Sequence, residues 1–254
     1  MIPKVIHYCW YGKGKYSAKI EKCIASWKEN MPNYKIKKWD ESNTPFNKFP
    51  FLKLLYKQKK WSFISDYIRL YAVYKQGGIY LDTDIESVKP FDELLNEKAF
   101  IGFQTDLTKS KYPINSAVFG TEKGGEFALD CIRETEIKQR LKFNAMGGPP
   151  IVTKVLYRYG LSEYKKQYIK DVLLLPVEYF YPFSWDEKFT KDCIKKETIC
   201  IHWWEDSWKC QKKNILYYLD SIKRKIQKTP LLLLDNFYYL VKKDKFYYTK
   251  KKYG

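Results

Sequence analysis

The sequence predicts an α/β domain that opens with a parallel strand–helix–strand unit, and two observations carry that expectation. Residues 5–39 run from a β-rich stretch through a helical apolar pattern to a second strand-like stretch, the order a parallel crossover requires. Residues 62–81 then read as a helix closed by Gly77-Gly78 and followed by the short apolar run Ile79-Tyr80-Leu81. With 254 residues and 45% hydrophobic composition, the chain can bury a core of its own as one large domain, or as one domain with an appendage.

The first strand is expected at residues 5–10, before the loop Gly12-Lys13-Gly14. Ser17 is placed to cap a helix whose Ile20, Cys23, Ile24 and Trp27 keep the i, i+3, i+4, i+7 spacing, and Pro32-Asn33 ends it. Residues 34–39 alternate lysine with apolar side chains, as a half-buried strand does. Further strands are expected at 99–104, 116–120, 172–175 and 198–203, with helices at 126–140 and 151–159. There is no internal repeat. From Gln211 the composition changes. Leu216, Leu219, Ile222 and Ile226 form an apolar stripe among lysines, Thr229-Pro230 interrupts, and an aromatic segment follows. The organisation expected is therefore a domain over 1–210 and a basic, aromatic helical extension over 211–254.

Forty-seven Lys and Arg against 29 Asp and Glu give a net charge of +18, which attracts anions without choosing among nucleic acid, anionic lipid and diphosphate substrates. Part of that excess reflects the general abundance of lysine in this sequence. Six cysteines occur without a Cys-x-x-Cys pair, so no zinc spacing is present. The first ten residues lack the apolar run of a signal peptide, and no segment approaches the roughly 20 apolar residues that span a bilayer. The expectation is a cytoplasmic protein with reduced thiols.

Asp82 and Asp84 lie two apart at the end of a strand, where extended backbone turns both carboxylates to one face. Hard divalent ions such as Mn²⁺ and Mg²⁺ take oxygen ligands and often keep substrate phosphates in their shell. A lone Asp-x-Asp also fits an ordinary surface turn, but strand ends in α/β sheets are where ligands bind. Asp66 and Arg69, i and i+3 on the preceding helix, are either a surface ion pair or a carboxylate for sugar hydroxyls steadied by a guanidinium. His202 is either a core imidazole among tryptophans or a metal ligand. His7, within the first strand, reads as structural.

Four ordered blocks resemble the family 32 glycosyltransferases, the DXD-containing sugar transferases of capsule and lipopolysaccharide synthesis, to which the catalytic domain of the clostridial glucosylating toxins is related. They are Ile2 to Gly12, Ser65-Asp66-Tyr67-Ile68-Arg69, Gly77-Gly78-Ile79-Tyr80-Leu81-Asp82-Thr83-Asp84, and His202-Trp203-Trp204 through Ser207-Trp208, so the likeness spans residues 2–210. The resemblance implies a GT-A type fold, a mixed and mostly parallel sheet flanked by helices. It also implies a retaining transfer from a nucleotide-sugar donor, a UDP-sugar above all, with Mn²⁺ or Mg²⁺ as cofactor. Its acceptor would be a saccharide or lipid-linked saccharide in cell-surface polysaccharide synthesis. On the same basis Trp10 would stack on the donor base beside Cys9, and Asp66, Arg69 and Tyr80 would hold the donor, with Asn115 and the Gly147-Gly148-Pro149-Pro150 loop bordering sugar and acceptor. Asp84, Asp82 and His202 would attend the metal, and Ser207 and Trp208 the leaving diphosphate. Glu205-Asp206 departs from the family, which carries small residues there.

The basic extension 211–254 either docks on an anionic inner membrane face, at about 1 kcal/mol per basic residue, or packs its stripe on the domain. Two rival readings have weaker support. A nucleic-acid module would explain the charge, but no RNP-like block and no complete KH or dinucleotide glycine pattern occurs, so no nucleic-acid partner is expected. A glycoside hydrolase would use paired carboxylates without needing a metal.

Overall fold

The computed structural model describes residues 1–140 and 147–205, so Ser207, Trp208 and the extension 211–254 lie outside the described residues. Its elements in chain order are β1 (Val5–Cys9), α1 (Ala18–Asn30), β2 (Lys35–Trp39), α2 (Pro50–Lys57), α3 (Trp61–Gln76), β3 (Gly78–Leu81), β4 (Ile85–Ser87), β5 (Ala99–Phe103), β6 (Ile114–Thr121), α4 (Glu126–Arg140), α5 (Gly148–Tyr159), β7 (Gln167–Ile169), β8 (Val172–Leu175), α6 (Val177–Phe180) and β9 (Cys200–His202). Seven strands form one sheet in the order β2-β1-β3-β6-β5-β8-β7, and β4 pairs with β9 in a separate two-stranded ribbon.

The opening unit forms as its pattern dictates. The Ser17 side chain accepts from the Ile20 N–H at 3.3 Å and caps α1, whose Ile20, Cys23, Ile24 and Trp27 are buried. Trp27 is fully buried and donates its indole N–H to the Ile85 carbonyl at 2.7 Å, which ties α1 to β4. β1 then runs parallel to β2 in register Val5 to Lys35. It also pairs in parallel with β3.

The turn from α3 into β3 depends on two glycines. Gly77 and Gly78 have φ of +68° and +114°, and a Cβ on Gly78 would approach the Val5 carbonyl oxygen to 2.5 Å. Glycine alone lets the helix return at once into a central strand. That tight return places Arg69 of α3 beside Asp82, which follows β3.

β3 pairs antiparallel with β6, and β6 antiparallel with β5. β5 runs parallel to β8, and β7 closes the edge in the opposite sense. Five of the seven strands (β1, β2, β3, β5, β8) therefore point one way, which is the mixed, mostly parallel sheet expected and a fold of the GT-A type. The core lies along β3, β5, β6 and β8, where Ile79, Leu81, Phe100, Ala117, Val118, Leu173 and Leu175 are buried. The run 198–203, expected as a further strand, pairs only over Cys200–His202 and joins β4 rather than the main sheet. His7 is a core histidine. Its Nε2 lies 2.9 Å from the Gly77 carbonyl and Nδ1 accepts from the Trp39 indole at 3.1 Å. Burial lowers its pKa to about 4, so it is neutral. Among the described residues no helix is long and apolar enough to cross a membrane.

Candidate active site

The carboxyl ends of the five co-directional strands share one edge of the sheet, the edge at which open α/β sheets bind ligands. β1 delivers Cys9 and Trp10 there, β3 delivers Asp82 to Asp84, and the antiparallel β6 enters at the same edge with Asn115 and Ser116. The ribbon supplies the last member. Its register sets His202 opposite Ile85, the residue after Asp84, and so joins two distant parts of the chain. One oxygen each from Asp82 and Asp84 and one nitrogen from His202 lie within 4.8 Å of one another.

Arg69 is the electrostatic centre of the site. It is 6% exposed, and its Nη2 lies 3.2 Å from both Asp66 Oδ1 and Asp82 Oδ1. Nη1 donates to the Ser116 carbonyl at 2.9 Å and to Ser116 Oγ at 3.1 Å, and the guanidinium sits 4.7 Å from the Tyr80 ring centroid. The donors of Arg69 are thus turned toward the protein, where they offset two acidic side chains. Tyr80 donates its hydroxyl to Asp82 Oδ1 at 2.8 Å and fixes that carboxylate from beneath.

The carboxylates differ in environment. Burial raises the Asp66 pKa to about 6, although the Arg69 charge and the Gly148 N–H favour its ionised form. Burial likewise pushes Asp82 up, opposed by Arg69 and assisted by the nearby Asp84 charge. Asp84 goes the other way. Burial acts against its charge, but His202 and the Glu205 N–H outweigh it and hold the carboxyl below its usual range. The surroundings of two aspartates two residues apart thus push their ionisation in opposite directions.

A strap closes over Asp84. His202 Nε2 lies 3.1 Å from Asp84 Oδ2, and the Glu205 N–H donates to the same oxygen at 2.8 Å. Trp204 has φ +56°, a left-handed conformation uncommon for a bulky residue, and it turns Glu205 back toward the aspartate. Glu205, the point of departure from the family pattern, accepts from Ser17 Oγ at 2.9 Å and anchors the strap to the start of α1.

Trp10 is half-buried, with its indole N–H on the Gly14 carbonyl at 2.8 Å and its ring edge-on to Tyr16. A 490 Å³ cleft beside it is lined by Lys13, Lys15, Lys38 and three acidic residues. The Cys9 thiol is buried and pushed up to about 12 by burial, which favours the neutral thiol. Asn115 is buried with both amide ends in use, Nδ2 donating to Gln104 and Oδ1 accepting from Ala117, each at 2.8 Å.

Two members of the site, Ser116 and Gln104, were not legible as such, and for Gly148 only its neighbours were not. Ser116 and Gln104 carry no motif, and they are recognised only by their bonds to Arg69 and Asn115. Gly148 stands out in the Gly-Gly-Pro-Pro run, but its contact with Asp66 is visible only once α5 is placed. A Cβ there would meet Ser116 Oγ and come within 3.0 Å of Asp66 Oδ1.

The family described as glycosyltransferase sugar-binding region containing DXD motif matches residues 17–101. Lactosylceramide 4-alpha-galactosyltransferase of Rattus norvegicus is 30% identical over 154 residues, which cover 56% of this chain and 40% of that protein. Inositol phosphoceramide mannosyltransferase 3 of Schizosaccharomyces pombe is 31% identical over 139 residues, 52% of this chain and 36% of that protein. The chain thus spans less than half the length of these relatives. Among solved structures, the PaToxG glycosyltransferase superposes with a TM-score of 0.51 at 21% identity, over 62% of this chain and 69% of that one, a likeness of fold.

Proposed function

We propose that the chain, whose residues 17–101 match the DXD-containing glycosyltransferase sugar-binding region, moves a hexose from a UDP-sugar to a saccharide, with retention at the anomeric carbon. The observation that carries the proposal is the convergence of Asp82, Asp84 and His202 at the strand edge, next to the ion cluster in which the buried Arg69 joins Asp66 and Asp82.

The donor set fits a divalent cation. Two carboxylates and an imidazole suit Mn²⁺, and His202 Nδ1 is buried with no hydrogen-bond partner among the described residues. Asp84, Asp82 and His202 would hold the ion, which supplies Lewis-acid stabilisation of the departing diphosphate. Tyr80 and Arg69 hold Asp82 in place and favour its ionised form against the effect of burial. Asp66, ionised above about pH 6, accepts hydrogen bonds from the donor's hydroxyls and orients the sugar. Trp10 offers a flat indole face to the base at the β1 side of the cleft. Ser207 and Trp208, outside the described residues, are proposed to meet the diphosphate. No general base stands out among these groups, and the departing phosphate serves to take the acceptor's proton.

For the acceptor we propose a saccharide carried on a lipid in surface-polymer synthesis, reached from the inner face of the plasma membrane with residues 211–254 as the membrane-facing part. The two relatives named for lactosylceramide and inositol phosphoceramide support a lipid-borne acceptor. The test is a panel of UDP- and GDP-sugars with Mn²⁺, scored by nucleotide release with and without saccharide acceptors. Release from one donor that stops with EDTA and returns with Mn²⁺ supports the proposal. Absence of release, together with salt-sensitive RNA binding, would replace it with a nucleic-acid function.

A further inference from the structure

We propose that α2 and the lysines around it form a docking surface for an anionic lipid bilayer. The inference starts from a charge imbalance in the sequence. Between Glu41 and Asp66 there are five lysines, Lys48, Lys53, Lys57, Lys59 and Lys60, and no acidic residue. Lys48, Lys53, Lys57 and Lys59 are exposed, and Lys60 is half-buried. Lys53 reaches the neutral Asn47 Oδ1 at 2.6 Å, and Lys48 lies 5.9 Å from the Phe49 ring centroid. Among the described residues no ion pair engages any of the five, so their charge faces outward uncompensated.

Helix geometry sorts α2 onto two faces. Leu52 and Leu55 are buried on the inner one. Pro50, Lys53, Leu54 and Lys57 recur at spacings of three and four, which sets them on the outer face, and all four are exposed. Leu54 is 57% exposed, with Lys53 and Lys57 flanking it. Half-buried Phe51, three residues before Leu54, borders the same strip.

A single exposed leucine is ordinary on a protein surface. Lysines without an acid on either side of it are not. Lysine in the last turn also favours the helix dipole, which accounts for Lys57 but not for Lys48 or Lys53. The combination suits the boundary between headgroups and acyl chains, where an aliphatic group enters hydrocarbon and long lysine stems carry their ammonium groups to lipid phosphates. Nucleic acid would match the charge alone. It offers no hydrocarbon layer to Leu54, and single strands are held by exposed aromatic rings on which bases stack.

This surface shares a wall with the cleft beside Trp10. Tyr56 donates its hydroxyl to Glu41 Oε1 at 3.2 Å, the same oxygen accepts from the Gly12 N–H at 2.8 Å, and Glu41 lines the cleft. The Tyr56 ring also packs edge-on to Trp61, the first residue of α3, with centroids 5.0 Å apart. Binding to the bilayer stands independently of the transferase reading. Its use, to bring a lipid-borne acceptor to the cleft, rests on that reading.

The experiment is sedimentation of the full chain with vesicles of phosphatidylcholine and phosphatidylglycerol in equal parts, and with phosphatidylcholine alone. The variants are Leu54→Ser and the pair Lys53→Gln/Lys57→Gln. Lys191→Gln/Lys195→Gln, at two exposed lysines elsewhere, removes the same charge as a control. All these side chains are exposed, so thermal melts should coincide with that of the parent. The parent should sediment with the anionic vesicles only. Lys53→Gln/Lys57→Gln should partition roughly thirtyfold more weakly, at about fivefold per lysine. Leu54→Ser should lose roughly tenfold, and the control about twofold or less. A parent that stays in the supernatant overturns the proposal, as does a Leu54→Ser variant that sediments like the parent or a lysine effect no larger than the control's. Lys53→Gln/Lys57→Gln that loses affinity for single-stranded RNA while its vesicle binding holds also overturns it, in favour of a nucleic-acid surface. Nucleotide release from UDP-sugars, scored separately, reports on the transferase reading alone.

Discussion

Replacing Asp66 with asparagine is expected to stabilise the fold while it abolishes turnover. Asp66 is partly buried, with 16% of its side chain exposed, and burial lifts its pKa from 3.8 to about 6. That displacement corresponds to about 3 kcal/mol held against the ionised form in the folded protein. The sign follows from proton counting. Between these two values the folded chain binds the proton more tightly than the unfolded chain, so stability is fully present below the unfolded value and falls as pH rises toward 6. Asparagine is neutral throughout, has nearly the same shape and retains an oxygen for Arg69. Urea unfolding followed by circular dichroism should therefore show Asp66→Asn more stable than the parent by up to ~3 kcal/mol near pH 8, with the difference closing by about pH 4. Nucleotide release should be lost in the same variant, because a full negative charge no longer receives the donor's hydroxyls. A variant no more stable than the parent near pH 8 would refute the claim that this carboxylate is kept ionised against its surroundings.

Three further outcomes follow from contacts of the same site. Arg69→Met leaves the partly buried Asp66 and Asp82 without their shared cation and should cost about 3 kcal/mol in urea unfolding, with a smaller loss when combined with Asp66→Asn; a cost near zero would show that water already compensates the pair. Ser17→Ala removes both the cap of α1 and the anchor of Glu205, and should lower stability by ~1 kcal/mol in a thermal melt, where an unchanged midpoint contradicts the capping role. Gly148→Ala forces a methyl group onto Ser116 and Asp66, so a loss of about 1–3 kcal/mol is expected and full retention of stability would mean that α5 shifts freely.

Periodicity carried much of the fold. The apolar spacing of Ile20, Cys23, Ile24 and Trp27 together with Ser17 placed α1 closely, and Gly77-Gly78 marked the return into β3. The start of α4 at Glu126 was also read correctly. The elements that escaped were short or locally ambiguous: α2, which begins at Pro50 and has only Leu52 and Leu55 buried, the three-residue strands β4 and β7, and the four-residue α6. Pairs at sheet edges are decided by what lies opposite, and a single strand of sequence does not carry that information. The same limit applies to the site. Asp82-Thr83-Asp84 declared itself by spacing, whereas the bond from Arg69 to Ser116 joins α3 to β6, and the Gln104–Asn115 pair joins the ends of β5 and β6, which meet with a register shift near Gly102. His202 was conspicuous in sequence, but its place near Asp84 is set by the pairing of β4 with β9.

The most direct test of a cation-dependent site is calorimetric titration of Mn²⁺ into the protein with UDP present, for the parent chain and for Asp84→Asn. The parent should take up one ion per chain, and the variant, still folded, should bind at least roughly tenfold more weakly, since a single good ligand accounts for that factor or more. Equal affinity in a folded Asp84→Asn protein, or no uptake by the parent chain, would contradict the assignment of Asp82, Asp84 and His202 as the metal site.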